Sequence, residues 1–124
     1  MATPREIAAA LHVALETGQA DALAPLLADD AVVWHNSDRL TLTKDQALPR
    51  IEGVARIADA VQVEVVARQE APESFVEQIV LRGIMRLNGS PLELHNCLVV
   101  SLRDGLVTRI DEYVDPNVSS QIKT

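Results

Sequence analysis

The chain has 124 residues, of which 48% are hydrophobic and only 2% aromatic, so one domain must build its core from aliphatic side chains. The formal net charge of −7 argues against binding to nucleic acid or to an anionic membrane surface, because both require clustered basic charge. The single cysteine, Cys97, cannot form an internal disulfide.

The N-terminal region does not have the continuous apolar core of a signal peptide, because polar residues interrupt its alanine-rich run. No stretch of the sequence is long and apolar enough to span a membrane. We therefore expect a cytoplasmic protein with one domain over residues 1–124.

Three helices are predicted in the first half of the chain, over Thr3–Gly18, Asp21–Leu27 and Thr43 to about Ala60. The first and third begin with a threonine followed three residues later by Glu or Gln, which is a capping box. Pro49 and Gly53 should kink or split the third helix.

Five strands are predicted from β-branched or alternating runs: Ala31–His35, Val61–Ala67, Phe75–Leu87, Leu92–Leu102 and Leu106–Asp115. The polar segment Asn36–Leu42 is predicted as a loop, and Asn88-Gly89 as a tight hairpin turn. The last four strands should form an antiparallel meander. The fold class is therefore α+β, with a curved antiparallel sheet and three helices packed on its concave face.

Three segments of the sequence resemble the NTF2-like superfamily, in particular its SnoaL-like family: Leu26–Asn36, Asn96–Leu106 and Arg109–Pro116. The resemblance extends over essentially the whole chain and implies a cone-shaped fold. It does not define one function, because the superfamily includes isomerases, dehydratases, polyketide cyclases, epoxide hydrolases and pockets without chemistry.

The resemblance places His35 where ketosteroid isomerases carry the carboxylate that acts as general base. Those enzymes also use an acid on the penultimate strand, and the nearest positions here are Cys97 and Leu98. Neither side chain can replace that acid, so the sequence departs from the isomerase pattern.

The epoxide-hydrolase pattern is also incomplete. Its Arg and Asp on the long middle strand correspond to Leu81 and Gly83, and only its carboxylate on the last strand has a counterpart, Glu112. Cyclases of the SnoaL type move a proton with a pocket acid and without metal or organic cofactor, a role open to Glu112 or Asp38.

His35 is the first candidate catalytic residue, because an imidazole can accept or donate a proton near neutral pH. It ends an apolar strand and, if the strand alternates, shares a face with Val33. The alternative is a structural histidine that hydrogen-bonds a neighbouring helix or loop.

Glu112 is the second candidate catalytic residue, because alternation separates it from Asp111 and the resemblance places its face inside the cone. Asp111 would then be solvated or paired with Arg109. The alternative for Glu112 is an ion pair across the sheet with Arg82 or Arg86.

Asn96, Asp38, Trp34 and Tyr113 are the candidate substrate-binding residues. Trp34 is also open to a role as core or interface anchor, and Tyr113, with Asp115, to a dimer contact or closure of the cone mouth. Asp38 is otherwise one half of a solvated loop pair with Arg39.

The register of the resemblance places Asn96, Leu98 and Val100 inside the cone, and His95 and Cys97 on its outer face. No metal site is predicted, because the histidines lie far apart in sequence without ligand spacing. His12, on the first helix, is predicted to be exposed or to pack against another helix.

Two functions remain open from the sequence. The first is a cofactor-independent isomerase, dehydratase, cyclase or hydrolase that acts on a small apolar molecule by acid/base chemistry. The second is a non-catalytic small-ligand-binding or dimerisation module. A homodimer is predicted under either function, because the long strands carry apolar residues on both faces.

Overall fold

A curved six-stranded sheet with helices on one face makes up residues 1–115, the part of the chain that the computed structural model describes. Its helices are α1 (Pro4–Thr17), α2 (Lys44–Glu52) and α3 (Val54–Ile57), with a 3₁₀ turn at Ala24–Leu26. Its strands are β1 (Leu27–His35), β2 (Thr41–Thr43), β3 (Ala58–Ala71), β4 (Ser74–Met85), β5 (Pro91–Arg103) and β6 (Leu106–Val114). Pro116, predicted to close the last strand, lies outside the described residues.

The strand order across the sheet is β2-β1-β6-β5-β4-β3. Strands β3 to β6 pair antiparallel in succession, which confirms the predicted meander. Strand β1 pairs in parallel with β6, so the sheet is mixed and not wholly antiparallel. A parallel connection needs at least about a dozen residues, and here β2, α2, α3 and β3 to β5 all lie between β1 and β6 in the chain.

The two predicted capping boxes are present at the starts of α1 and α2. The side chain of Thr3 accepts a hydrogen bond from the backbone N of Glu6, and that of Thr43 accepts one from the backbone N of Gln46, each with the reciprocal bond. Gly18 ends α1 in the left-handed conformation, with φ of 72°. Both helix starts are therefore determined locally by the sequence.

The other predicted helix boundaries need correction. Asp21–Leu27 contains only the 3₁₀ turn at Ala24–Leu26, because Leu27 already pairs with Val107 in the sheet. The third predicted helix divides at Gly53 into α2 and α3 and ends at Ile57. Ala58–Ala60 belongs to β3.

The predicted loop Asn36–Leu42 also differs, because its end forms the short strand β2 against β1. The side chain of Asn36 donates to the backbone O of Val114 at 3.1 Å and accepts from its backbone N at 2.8 Å. This pair of bonds, which we call the Asn36 clasp, continues the ladder between β1 and β6 beyond the end of β1.

The core lies between the helices and the concave face of the sheet. It is almost wholly aliphatic, as the composition requires, and α1 contributes Ile7, Leu11 and Leu15 to it. Phe75 is its one buried aromatic residue among those described. No helix within residues 1–115 has the length and apolarity needed to cross a membrane.

Candidate functional site

A cavity of about 640 Å³ opens between the concave face of the sheet and the helices. This volume lies within the range of small-molecule sites, about 300–1,000 Å³. Most of its wall is aliphatic, from Leu11, Leu15, Val33, Ile51, Val54, Leu81, Leu94, Leu98, Ile110 and Val114. The polar part of the wall comes from His35, Ser37, Asp38, Arg50, Asn96 and Glu112.

Alternation along the strands determines which side chains reach the cavity. Val33 and His35 of β1 line it together, and so do Glu112 and Val114 of β6. Asn96 lines it from β5. The inward face inferred from the sequence is thus the face that the cavity occupies, and Asn96, His35 and Glu112 all lie on it.

His35 and Glu112 meet inside this cavity. The parallel register of β1 and β6 places the two residues directly opposite each other, and Nε2 of His35 lies 3.6 Å from Oε1 of Glu112. This distance is too long for a hydrogen bond but suits an electrostatic contact. An imidazole and a carboxylate at an apolar wall can exchange a proton with a ligand atom held between them or beside them.

The predicted alternative partners of Glu112 lie elsewhere. Arg82 bonds Glu64 and Glu93, and Arg86 bonds Asp59. Arg82 lies on the other face of the sheet from Glu112, because residue 82 alternates with the inward Leu81 of β4.

Asn96 brings a buried amide to the same wall. Only 6% of the residue is exposed, and its Oδ1 has no hydrogen-bond partner within residues 1–115. A buried polar atom without a partner costs about 1–3 kcal/mol, so a ligand or a water molecule that bonds this amide would be stabilised.

Asp38 and Arg50 form an ion pair that also lines the cavity, with 2.8 Å between Nη1 of Arg50 and Oδ2 of Asp38. Both side chains are partly exposed, so the pair lies where the cavity meets solvent. The backbone N of Leu40 donates to Oδ1 of Asp38 at 3.0 Å, which fixes the carboxylate within its loop. Arg39, predicted as the loop partner of Asp38, has a positive φ of 60° and makes no ion pair with Asp38 among the described contacts.

Arg50 was not among the residues singled out from the sequence. It lies on α2, whereas Asp38 lies in the loop after β1, and no local pattern connects the two. Only the packing of α2 against β1 brings them together.

Trp34 and Tyr113, predicted as substrate-binding residues, do not line this cavity. Alternation turns them to the outer face of the sheet, where their rings contact edge to face with centroids 5.3 Å apart. Asp111 bonds Arg109 at 2.9 Å, as predicted, and Asp115 is exposed. Of the polar cluster in the last strand, Glu112 alone lines the cavity.

His95 and Cys97 also face outward, in the predicted register. They line a smaller depression of about 280 Å³ together with Val66, Gln78 and Tyr113. Within residues 1–115, no group of three or more His, Cys, Asp or Glu side chains is placed to hold a metal ion.

A second buried polar cluster, outside the cavity, was not predicted. His12 of α1 contacts Glu77 of β4 with 2.5 Å between Nε2 and Oε1, and Arg68 of β3 bonds the other carboxylate oxygen at 2.7 Å. His12 therefore packs against the sheet and not against another helix. The signal was present in the sequence, because Glu77 alternates in step with the apolar Phe75 and Ile79.

No protein-family model matches the sequence, and no curated protein matches it either. Solved structures do match. IdmH, a proposed polyketide cyclase from Streptomyces antibioticus, superposes with a TM-score of 0.82 at 17% identity, over 97% of each chain.

Two further structures give the same result. A protein with the ketosteroid isomerase-like fold from Catenulispora acidiphila, solved with trimethylamine, superposes with a TM-score of 0.74 at 20% identity, over 90% of this chain and 86% of that one. An NTF2-like protein from Anabaena variabilis gives 0.75 at 14% identity, over 90% and 85%. The chain therefore has the fold of these ketosteroid isomerase-like and NTF2-like proteins.

Proposed function

We propose that this protein is a cofactor-independent enzyme that transfers a proton on a small apolar molecule held in the cavity. The observation that carries the proposal is the contact of His35 with Glu112, 3.6 Å apart, at the wall of an aliphatic cavity of about 640 Å³. The reaction class would be isomerisation, dehydration, cyclisation or hydrolysis, each of which needs a proton moved to or from the substrate or an attacking water molecule.

In this mechanism His35 removes a proton from the bound molecule and Glu112 stabilises the imidazolium that forms, or the two exchange these roles. Asn96 would orient the substrate by accepting a hydrogen bond from its hydroxyl or N–H group, through the Oδ1 that has no partner within residues 1–115. The aliphatic wall excludes water, which strengthens each of these electrostatic interactions.

The names of structural neighbours agree with a small-molecule role. They include IdmH as a proposed polyketide cyclase and a protein from Catenulispora acidiphila that holds trimethylamine. At 17% and 20% identity these neighbours support the fold, and their ligands enter here as a guide to the size of molecule worth testing.

The alternative is a binding module that uses the same cavity without chemistry. It is favoured by the aliphatic residues Leu81 and Leu98, which line the cavity at positions where related enzymes place polar groups. Both functions require a ligand in the cavity, but only the enzyme requires His35 to move a proton.

Deuterium exchange tests the proposal without knowledge of the natural substrate. A panel of enolisable ketones is incubated with the protein in heavy water, and exchange at the α-carbon is followed by NMR. We expect the wild-type protein to accelerate exchange for at least one ketone. His35→Gln should slow that exchange by about 100-fold or more, since general-base catalysis contributes about 10²–10⁴.

His95→Gln is the matched control, because His95 faces outward and its side chain is exposed. This variant should exchange at the wild-type rate. Exchange at the wild-type rate by folded His35→Gln would rule out the mechanism. A ketone that binds in the cavity without any accelerated exchange would favour the binding module.

A further inference from the structure

The charged groups of the cavity are few and unevenly divided. Among the lining residues that the structure describes, Asp38 and Glu112 are carboxylates and Arg50 is the single arginine or lysine. Among these described groups a ligand meets two carboxylates, one guanidinium and the imidazole of His35. The formal net charge of the chain is −7, and this overall charge opposes an anionic ligand.

Arg50 is already neutralised where it lines the cavity. Its Nη1 lies 2.8 Å from Oδ2 of Asp38, within the range of a charge-assisted hydrogen bond. The carboxylate of Asp38 is held in place by its loop, because Oδ1 accepts from the backbone N of Leu40. The pair is thus preorganised before any ligand arrives.

A carboxylate ligand that bonds Arg50 would share this cation with Asp38, because Nη1 of Arg50 already bonds Oδ2 of Asp38. It would lose its hydration at an aliphatic wall and would place a second negative charge beside Asp38. An uncharged ligand of the same shape meets none of these costs. Specificity of this kind comes from a penalty on the wrong ligand more than from contacts with the right one.

We propose that the Asp38–Arg50 pair makes the cavity selective for uncharged molecules and excludes carboxylates. This inference names the charge class of the ligand for the proposed function and rests on that function's use of the cavity. Asp38 is then a specificity-determining residue, and its substitution should change which charge the cavity accepts.

Two single substitutions test opposite halves of the pair. Asp38→Asn removes the charge but keeps a side-chain oxygen that can accept from Leu40, and it leaves Arg50 without its counter-ion. Arg50→Gln removes the guanidinium that bonds Asp38 at the wall of the cavity. The first variant should favour an anionic ligand and the second a cationic one.

The probes are decanol, decanoate and decylammonium, which share one chain and differ in charge. Each displaces the uncharged dye Nile red from the protein at neutral pH, and amide chemical shifts around Asn96 and Val114 confirm that binding is in the cavity. Wild-type protein should bind decanol more tightly than either ion.

Asp38→Asn should raise the affinity for decanoate relative to decanol by about tenfold or more, as expected for one unpaired charge in a desolvated site. Arg50→Gln should raise the relative affinity for decylammonium instead. The double variant Asp38→Asn/Arg50→Gln is the matched control and should lose the gain for decanoate.

Equal binding of decanol and decanoate by the wild-type protein would overturn the proposal, and so would an unchanged ratio in a folded Asp38→Asn variant. If that variant does not fold, the test is the affinity of Arg50→Gln for decylammonium relative to decanol. A ratio equal to that of the wild-type protein would then overturn the proposal. Failure of decanol to bind the wild-type cavity would overturn both this inference and the proposed function. Loss of the proton-transfer mechanism alone, shown by an active His35→Gln variant, would leave the charge selectivity intact.

Discussion

Glu77 lies on the same face of β4 as Phe75 and Ile79, and its side chain is fully buried beneath α1. Its two carboxylate oxygens contact His12 on one side and Arg68 on the other. Burial opposes ionisation of Glu77, but the hydrogen bonds with His12 and Arg68 outweigh that effect, so its pKa is held below the ordinary value. The carboxylate is therefore charged in the folded protein and depends on both partners.

Glu77→Gln should lower the free energy of unfolding by about 3 kcal/mol, because it removes the buried carboxylate charge that both Arg68 and His12 contact. Urea denaturation at neutral pH measures this loss. Glu93→Gln is the matched control, since Glu93 forms an exposed ion pair with Arg82 and should change stability little. Equal losses in the two variants would contradict the structural role of Glu77.

The same residue gives a pH dependence with a defined sign. Because the pKa of Glu77 is lower in the folded than in the unfolded protein, its stabilising effect is complete above the ordinary glutamate pKa, about 4.3. The effect is lost as the pH falls through the lowered folded-state value. The stability difference between the wild-type protein and Glu77→Gln should therefore shrink in acid, as urea titrations at several pH values would show.

At this scale the sequence identified the candidate pair His35 and Glu112 but not its surroundings. Alternation separated Glu112 from Asp111 and put His35 beside Val33, and the family resemblance indicated which of the two faces lies inside. Arg50 escaped prediction because its partner Asp38 comes from another element. Trp34 and Tyr113 were predicted to bind substrate because they are aromatic, although strand alternation turns both side chains outward.

Helix α1 is attached to the sheet by two side chains one turn apart. His12 reaches Glu77 on β4, and Oε2 of Glu16 accepts from the backbone N of Val63 on β3 at 2.8 Å. Strand β3 is an edge of the sheet, and an edge strand has backbone groups that need partners outside the ladder. The carboxylate of Glu16 supplies one such partner.

Glu16→Leu should lower the free energy of unfolding by about 1–3 kcal/mol, since it removes a charged acceptor from a backbone donor. Glu16→Gln keeps a neutral acceptor and should recover part of that loss. Thermal or urea denaturation of the two variants gives the comparison. If leucine and glutamine are equally destabilising, the hydrogen bond to Val63 does not contribute and the charge alone matters.

The elements that the sequence predicted correctly are those with local signals. Capping boxes identified the starts of α1 and α2. Asn88-Gly89 identified the position of the hairpin between β4 and β5, but the connection extends over residues 86–90 and of the two only Gly89 has a positive φ, of 71°. The parallel pairing of β1 with β6 has no local signal, because the partners are separated by most of the chain. The predicted helix Asp21–Leu27 was wrong, because so short a helix is hard to nucleate and only a 3₁₀ turn forms there.

At the scale of the whole molecule, the outer face of the sheet is the surface on which we expect a partner to bind. Tyr113 is 46% exposed there, beside Trp34, and Val66 and Cys97 border the same depression. Arg82 bonds both Glu64 and Glu93 and so offsets part of the acidic charge around this face. A second copy of the chain would meet an apolar centre, and we propose a homodimer through this face.

Tyr113→Asp should weaken the dimer by about tenfold or more, because it places a charge at the centre of the interface. Size-exclusion chromatography with light scattering, over a range of micromolar concentrations, measures the shift towards monomer. Leu87→Asp is the matched control, since Leu87 is 88% exposed at the hairpin tip, away from Tyr113. A wild-type protein that is monomeric throughout this range would end the proposal.

The Asn36 clasp lies between the paired ends of β1 and β6 and the loop that carries Asp38. On one side, Asn36 and Val114 hold the ends of β1 and β6 together, which fixes His35 opposite Glu112. On the other side, the chain leaves the sheet and forms the loop that carries Asp38. The backbone of that loop also bonds His35, because the N of Arg39 donates to the O of His35 and the N of His35 donates to the O of Leu40. Side-chain exchanges in the loop that keep these two bonds should therefore alter which molecules enter without disturbing the candidate pair, so one short segment can change the specificity of this scaffold.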